Sequence, residues 1–159
     1  MIRPAVHSDQ PRLYELFMDM YRVSEYPARD IGVSEPSAKG LIRDCIARNG
    51  RINDGGVLLN VYERDGQIYG FMLGILQRIY MIGNRLEAQD VFLFCTPDAP
   101  RGAWGRLVRA YVEWAASNPK VADIALSWTD VAGVDGEKLS RVYKRLGFTR
   151  RGEIWKKRT

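Results

Sequence analysis

The chain has 159 residues, 46% of them hydrophobic and 27% charged, with a formal net charge of +5. That length and composition suit a single domain, residues 1–159, with a real buried core, and exclude a disordered chain. No apolar run approaches the length of a bilayer span and no signal-peptide core opens the chain, so a cytoplasmic protein without a membrane partner is expected.

Residues 2–6 read as a short strand. Ser8 is placed to cap a helix with Pro11 in its first turn. Leu13, Leu16, Phe17 and Met20 then recur at helical spacing on one face. Residues 21–35, rich in Pro, Gly and charge, read as a loop. A second helix is predicted over 37–48, burying Leu41, Ile42, Cys45 and Ile46 and ended by Asn49-Gly50.

A hairpin follows. Residues 57–63 and 67–81 are its strands, and Arg64-Asp65-Gly66 supplies the tight turn. After a second turn at 82–85, residues 91–96 read as a third strand, apolar on both faces as a central strand would be. The next helix is predicted over 105–117, with Leu107, Val108, Tyr111, Val112 and Ala115 as its stripe. Asn118-Pro119 stops it. Residues 121–128 read as a buried strand, 129–136 as a loop, 137–146 as a helix capped by Gly147, and 148–157 as a last strand. Strands alternating with helices in the second half imply an α/β fold with some parallel pairing.

Few side chains are available for chemistry. His7 is the only histidine, which argues against a histidine triad or a zinc site. Cys45 and Cys95 lie far apart in apolar surroundings and read as small buried hydrophobes, with no metal-ligand spacing. The chemistry must then use carboxylates, tyrosine, backbone or a cofactor, and no metal is expected. The positive charge favours anionic partners such as nucleotides or nucleic acid. Its densest cluster, Arg150, Arg151, Lys156, Lys157 and Arg158, reads as a solvated edge.

The segment 91–115 runs strand, Pro/Gly loop, helix. That order aims backbone N–H groups and a helix N-terminus at the loop, which suits a phosphate. Arg101 and Arg106 add charge there.

With these motifs in place the chain resembles the GNAT family of N-acetyltransferases along nearly its whole length, and looks closest to a branch common in phage and prophage genomes. Three segments carry the resemblance: VYERDGQIYGFMLG, the strand-loop-helix above, and LSRVYKRLGFTRRGEIW with its Y-x-x-x-G-F end. The resemblance implies an α/β GNAT fold, a mixed central sheet of about six to seven strands with helices on both faces. It also implies acetyl-CoA as co-substrate and a small-molecule or peptide amine as acceptor, and it leaves room for a homodimer. Tyr143 matches the family's tyrosine, which protonates the departing thiolate. Phe94 and Cys95 lie where the family splays its central strand beside the cofactor. Arg101, Gly102, Ala103, Trp104, Gly105 and Arg106 would cradle the pyrophosphate.

The loop departs from the family signature Gln/Arg-x-x-Gly-x-Gly/Ala. Pro100 stands first and Ala103 replaces a Gly, while Gly105 fits. The cradle needs close backbone approach, so a methyl at Ala103 is expected to be tolerated where a larger side chain would not be. Asp135 stands where Asn is frequent and reads as an outward-turned helix cap. For the general base, Asp90 and Glu87 precede the central strand, and Glu25 and Glu35 lie in the loop that shapes the acceptor pocket. Asp90 is carried as the candidate. Tyr26 and Tyr80 are candidates for lining that pocket. Two other readings stay open: a binding or assembly module on the same fold, motivated by Pro100 and Ala103, and a basic nucleic-acid-associated protein, which lacks a groove-reading motif.

Overall fold

The computed structural model describes residues 1–128, 136–152 and 154–157. Five strands form one sheet in the order β1-β2-β3-β4-β5: Ile2–Pro4, Val57–Arg64, Gln67–Arg78, Leu86–Cys95 and Val121–Ile124. The pairs from β1 to β4 are antiparallel, and β4 pairs β5 in parallel. Helices α1 (Gln10–Arg22) and α2 (Glu35–Arg48) follow β1. Helix α3 (Ala103–Ala116) crosses from β4 to β5, and α4 (Gly136–Arg145) comes after β5.

Strict alternation along β2 divides two cores. Val57, Leu59 and Val61 pack with Phe71 and Leu73 against Leu13 and Leu16 of α1 and Ile42 and Cys45 of α2. Leu58 and Tyr62 face the other way, with Met72, Leu76, Leu86 and Ala88 against Leu107, Tyr111 and Ala115 of α3. Each fully buried Leu on these faces is worth about 2 kcal/mol by area removed from water. The sheet therefore carries helices on both faces, as expected.

Local chemistry explains the turns. Asp65 and Gly66 both take positive φ (53° and 76°), the two left-handed positions of a tight hairpin. The Gly147-Phe148 end of α4 is a Schellman cap. Phe148 N–H donates to Tyr143 O at 3.0 Å, and Gly147 N–H to Lys144 O at 3.1 Å. Gly147 has φ 85°, and the Tyr143 and Phe148 rings lie 6.0 Å apart, the apolar contact that accompanies this cap.

Several boundaries move. The sheet has five strands among the described residues rather than six to seven. Residues 148–152 and 154–157 form no strand, and Ile154 and Trp155 are exposed. Those two apolar side chains are adjacent, so they cannot share one face of a strand. Strand β4 begins at Leu86, because Leu86 and Ala88 alternate inward between Glu87 and Gln89. Strand β3 ends at Arg78 in a 3-10 turn, and Leu41 is exposed on α2. Ser34 caps α2 through Ser37 N–H. Ahead of α1, Asp9 rather than Ser8 accepts a backbone donor, Val6 N–H at 2.8 Å. Asp135, loop residues 129–135 and Arg158 lie outside the described residues.

Candidate active site

Strands β4 and β5 form a fork. Their ladder covers only Leu86–Ala88, and its last bond runs from Ala125 N–H to Ala88 O at 2.8 Å. Leu73 of β3 faces Phe92 while Gly74 faces Asp90, so Val91 is an extra residue that bulges β4 at this point. Beyond the bulge, residues 125–127 are held by side chains instead of strand. Tyr111 OH donates to Ala125 O at 2.8 Å. Ser127 N–H donates to Asp90 Oδ1 at 2.8 Å. Tyr143 OH donates to Ser127 O at 3.1 Å. Gly74 makes the first of these bonds geometrically feasible, since a Cβ there would lie 2.6 Å from the Tyr111 ring.

The loop before α3 supplies an anion cradle. Gly102, at φ 84° and ψ 0°, is the N-cap of α3 and contributes no side-chain cap. The N–H groups of Trp104 and Gly105 lie in the first helical turn, where no intrahelical acceptor exists. A Cβ on Gly102 or Gly105 would meet nothing within 4 Å, so the surface over both is open to close approach. Ala103 is 2% exposed and packs into the α3 core, so its methyl points away from the cradle. Arg101 and Arg106 line an open cleft of about 600 Å³ with Arg64, Tyr62, Met1 and Pro100. Neither Arg101 nor Arg106 makes an ion pair among the described residues.

A second cavity, of about 460 Å³, opens at the fork and is lined by both Asp90 and Tyr143. Its walls come from α1 and the loop after it on one side, and from Trp104, Trp128 and α4 on the other. Trp104 stacks on Tyr143 with ring centroids 5.9 Å apart. Burial pushes the Asp90 carboxyl above its ordinary value, and the Ser127 hydrogen bonds only partly offset this. Burial, with the nearby Asp90 charge, also raises the Tyr143 phenol, which therefore holds its proton.

The structure brings some predicted residues together and separates others. Asp90, Trp104 and Tyr143 meet at the fork cavity, with Tyr26 in its wall. Arg101 and Arg106 lie in the neighbouring cleft. Phe94 packs its side chain into the α1–α2 core and Cys95 into the α3 core. Burial pushes the Cys95 thiol up to about 12, which makes it a poor nucleophile. Of the other carboxylates, Glu87 accepts from Gln89 at 2.8 Å, Glu25 pairs with Arg29 and Glu35 with Lys39. None of the three lines the cavity. Tyr80 is 90% exposed at the β3–β4 turn, also outside it.

Four contributors were not foreseen. Ser127 acts through its main chain, and no sequence signal marks it. Phe17 and Met20 read as core but also face the cavity. Tyr111 could have been found, because a tyrosine inside an apolar stripe needs a partner for its hydroxyl. Among the described residues, no three His, Cys, Asp or Glu side chains are grouped to hold a metal, and no helix is long and apolar enough to cross a membrane.

No family profile and no curated protein matches the chain. Solved structures match it over its full length. An acetyltransferase from Trypanosoma brucei superposes with a TM-score of 0.69 at 18% identity, covering 100% of this chain and 99% of that one. AAC(6')-Iy, in complex with the bisubstrate analog CoA-S-monomethyl-acetylneamine, gives 0.70 at 16%, covering 100% and 98%. A transcriptional regulator from Bacillus halodurans gives 0.72 at 17%, covering 100% and 99%. The chain has the GNAT acetyltransferase fold.

Proposed function

We propose that the protein is an acetyl-CoA-dependent N-acetyltransferase acting on a primary amine. The observation that carries this is the fork, where a carboxylate and a protonated tyrosine line one cavity. The cradle fits a pyrophosphate: two open glycines, two first-turn N–H groups and two arginines that make no ion pair among the described residues. Acetyl-CoA supplies an electrophilic thioester carbonyl. Arg101 and Arg106 bind its phosphates, with Gly102, Trp104 and Gly105 giving backbone approach and Ala103 holding the helix start to the core. The outward main-chain edge of β4 near Phe94 and Cys95, which β5 leaves unpaired, holds the cofactor arm.

Asp90 takes a proton from the incoming ammonium, because a raised carboxyl is a stronger base than an ordinary one. The neutral amine then forms the C–N bond as the C–S bond breaks. Tyr143 donates a hydrogen bond to the sulfur as charge develops there and then its proton, and the proton that the acylated nitrogen sheds restores the phenol. Its existing bond to Ser127 O is long for an O–H···O contact, so it is readily exchanged.

The test is thermal shift with acetyl-CoA together with CoA release over a panel of amines. Stabilisation by cofactor and amine-dependent release of CoA are expected. No stabilisation at millimolar acetyl-CoA refutes the reading. Stabilisation without release for any amine favours a binding module instead, the alternative that Pro100 suggests because it brings no N–H to the loop.

A further inference from the structure

The wall of the fork cavity is specialised. Phe17, Met20 and Tyr21 of α1 and Tyr26 of the following segment form one side, and Trp104 and Trp128 stand on the other. Asp90 is the only charged side chain lining it among the described residues. Two of the three side-chain hydroxyls on the α1 side, those of Tyr21 and Ser24, are matched internally. Ser24 Oγ donates to Tyr21 O at 2.6 Å and accepts from Tyr26 N–H at 3.3 Å. Tyr21 OH donates to Ile31 O at 2.7 Å.

Such a wall discriminates among amines. One ammonium finds Asp90 and the faces of aromatic rings, which attract cations. A second or third ammonium, or a run of hydroxyls, would be stripped of water with fewer partners than it needs, and each unmatched group costs kilocalories. An apolar body loses nothing on entry and gains by burial. We propose that the acceptor is a monoamine carried on an apolar, ring-sized body, rather than a polyamine or an aminoglycoside. This rests on the transferase reading for its chemistry, but the wall's preference can be measured without turnover.

Two readouts test it on the full chain. The first is calorimetric titration with 2-phenylethylamine, spermidine and kanamycin, without cofactor. The second is kcat/KM for the same amines with acetyl-CoA. The expected result is 2-phenylethylamine binding at least tenfold tighter than either polycation, and turnover favouring it by on the order of 100-fold. Tyr26→Ala should weaken 2-phenylethylamine about tenfold while acetyl-CoA affinity stays as it was. Equal or tighter binding of spermidine or kanamycin overturns the proposal, as does faster acetylation of either. Absence of 2-phenylethylamine binding also overturns it. If 2-phenylethylamine binds selectively but acetyl-CoA does not bind at all, the wall's preference stands and the transferase reading alone fails.

Discussion

Asp90 and Tyr143 hold the two ends of one residue. Asp90 Oδ1 accepts the Ser127 N–H at 2.8 Å, and Tyr143 OH donates to the Ser127 carbonyl at 3.1 Å. Asp90 comes from the bulge in β4 and Tyr143 from the last turns of α4. The two groups with the strongest claim to chemistry thus also keep the fork open, where a strand would otherwise continue. Function and local stability are coupled at this point, and variants there should move both.

Tyr143→Phe removes the O–H and keeps the ring on Trp104. The expected outcome is unchanged acetyl-CoA affinity, a turnover loss on the order of 100-fold or more, and a stability loss of about 1 kcal/mol for the bond to Ser127. Stopped-flow CoA release and a denaturant melt measure the two separately. Turnover equal to that of the parent removes Tyr143 from the mechanism.

Asp90→Asn should cut activity yet stabilise the fold near neutral pH. The folded-state carboxyl titrates above its unfolded value, so the native state binds more protons than the unfolded one between those two values. Stability therefore falls as pH rises through that window, and the charged form costs energy above it. Asn can still accept from Ser127 N–H while carrying no charge. The melting temperature should rise by about 2–4 °C for each kcal/mol recovered. The acid limb of the pH–rate profile, where activity climbs as Asp90 deprotonates, should vanish in the variant. A lower melting temperature at pH 7 would contradict this account.

Near β1 the sign reverses. Asp9 receives two bonds from Arg3, at 2.6 and 2.9 Å, and Arg3 also reaches Glu63. Burial alone would raise the Asp9 carboxyl, but the Arg3 and Val6 hydrogen bonds outweigh it and hold it below its ordinary value. Its contribution is fully present above the unfolded value and disappears as pH falls through the lower folded value. Asp9→Asn should cost about 2 kcal/mol at pH 7, and less with each step of acidification below about pH 4. Parallel melts at pH 7 and pH 3 check it. A cost that does not shrink on acidification would mean that the ion pair is not its source.

What was legible in the sequence follows how local the cause is. Asp65-Gly66 and Y-x-x-x-G-F were readable because each is complete within a few residues: a left-handed pair in one case, a Schellman cap in the other. The cradle was half readable. Its glycines show in the sequence, but the direction of the Ala103 methyl depends on where α3 packs. The fork was not readable, because Asp90 meets Ser127 across 37 positions and only after a bulge at Val91 shifts the register. The apolar run 91–96 drew attention from Leu86 and Ala88, whose alternation starts β4 earlier. Nothing in the spacing of residues 21–35 says that Tyr26 turns toward α4.

Gly74→Ala tests the support beneath the fork. The added methyl would sit 2.6 Å from the Tyr111 ring, which is fully buried and has little room to yield. Overpacking of this kind costs about 1–3 kcal/mol. Because Tyr111 also anchors Ala125 O, KM for the amine should rise as the edge at 125–127 shifts, along with the stability loss. Loss of stability with unaltered KM would confine Tyr111 to packing.

The cradle gives the sharpest contrast, because Ala103 and Gly105 are two residues apart on α3 and face opposite ways. Ala103 is buried in the core, while the space over Gly105 is open. Restoring the glycine that the family signature would have, Ala103→Gly, should leave acetyl-CoA affinity unchanged. It should cost about 1 kcal/mol in stability through helix propensity and lost burial. Gly105→Val should do the reverse: little change in the melt, since a side chain there meets no neighbour, and an acetyl-CoA affinity lower by about tenfold or more as the branched side chain fills the approach to the Trp104 and Gly105 N–H groups. Calorimetric titration of both variants with acetyl-CoA decides it. Tighter cofactor binding by Ala103→Gly would show that the methyl obstructs the cradle after all, and unchanged binding by Gly105→Val would move the phosphates elsewhere.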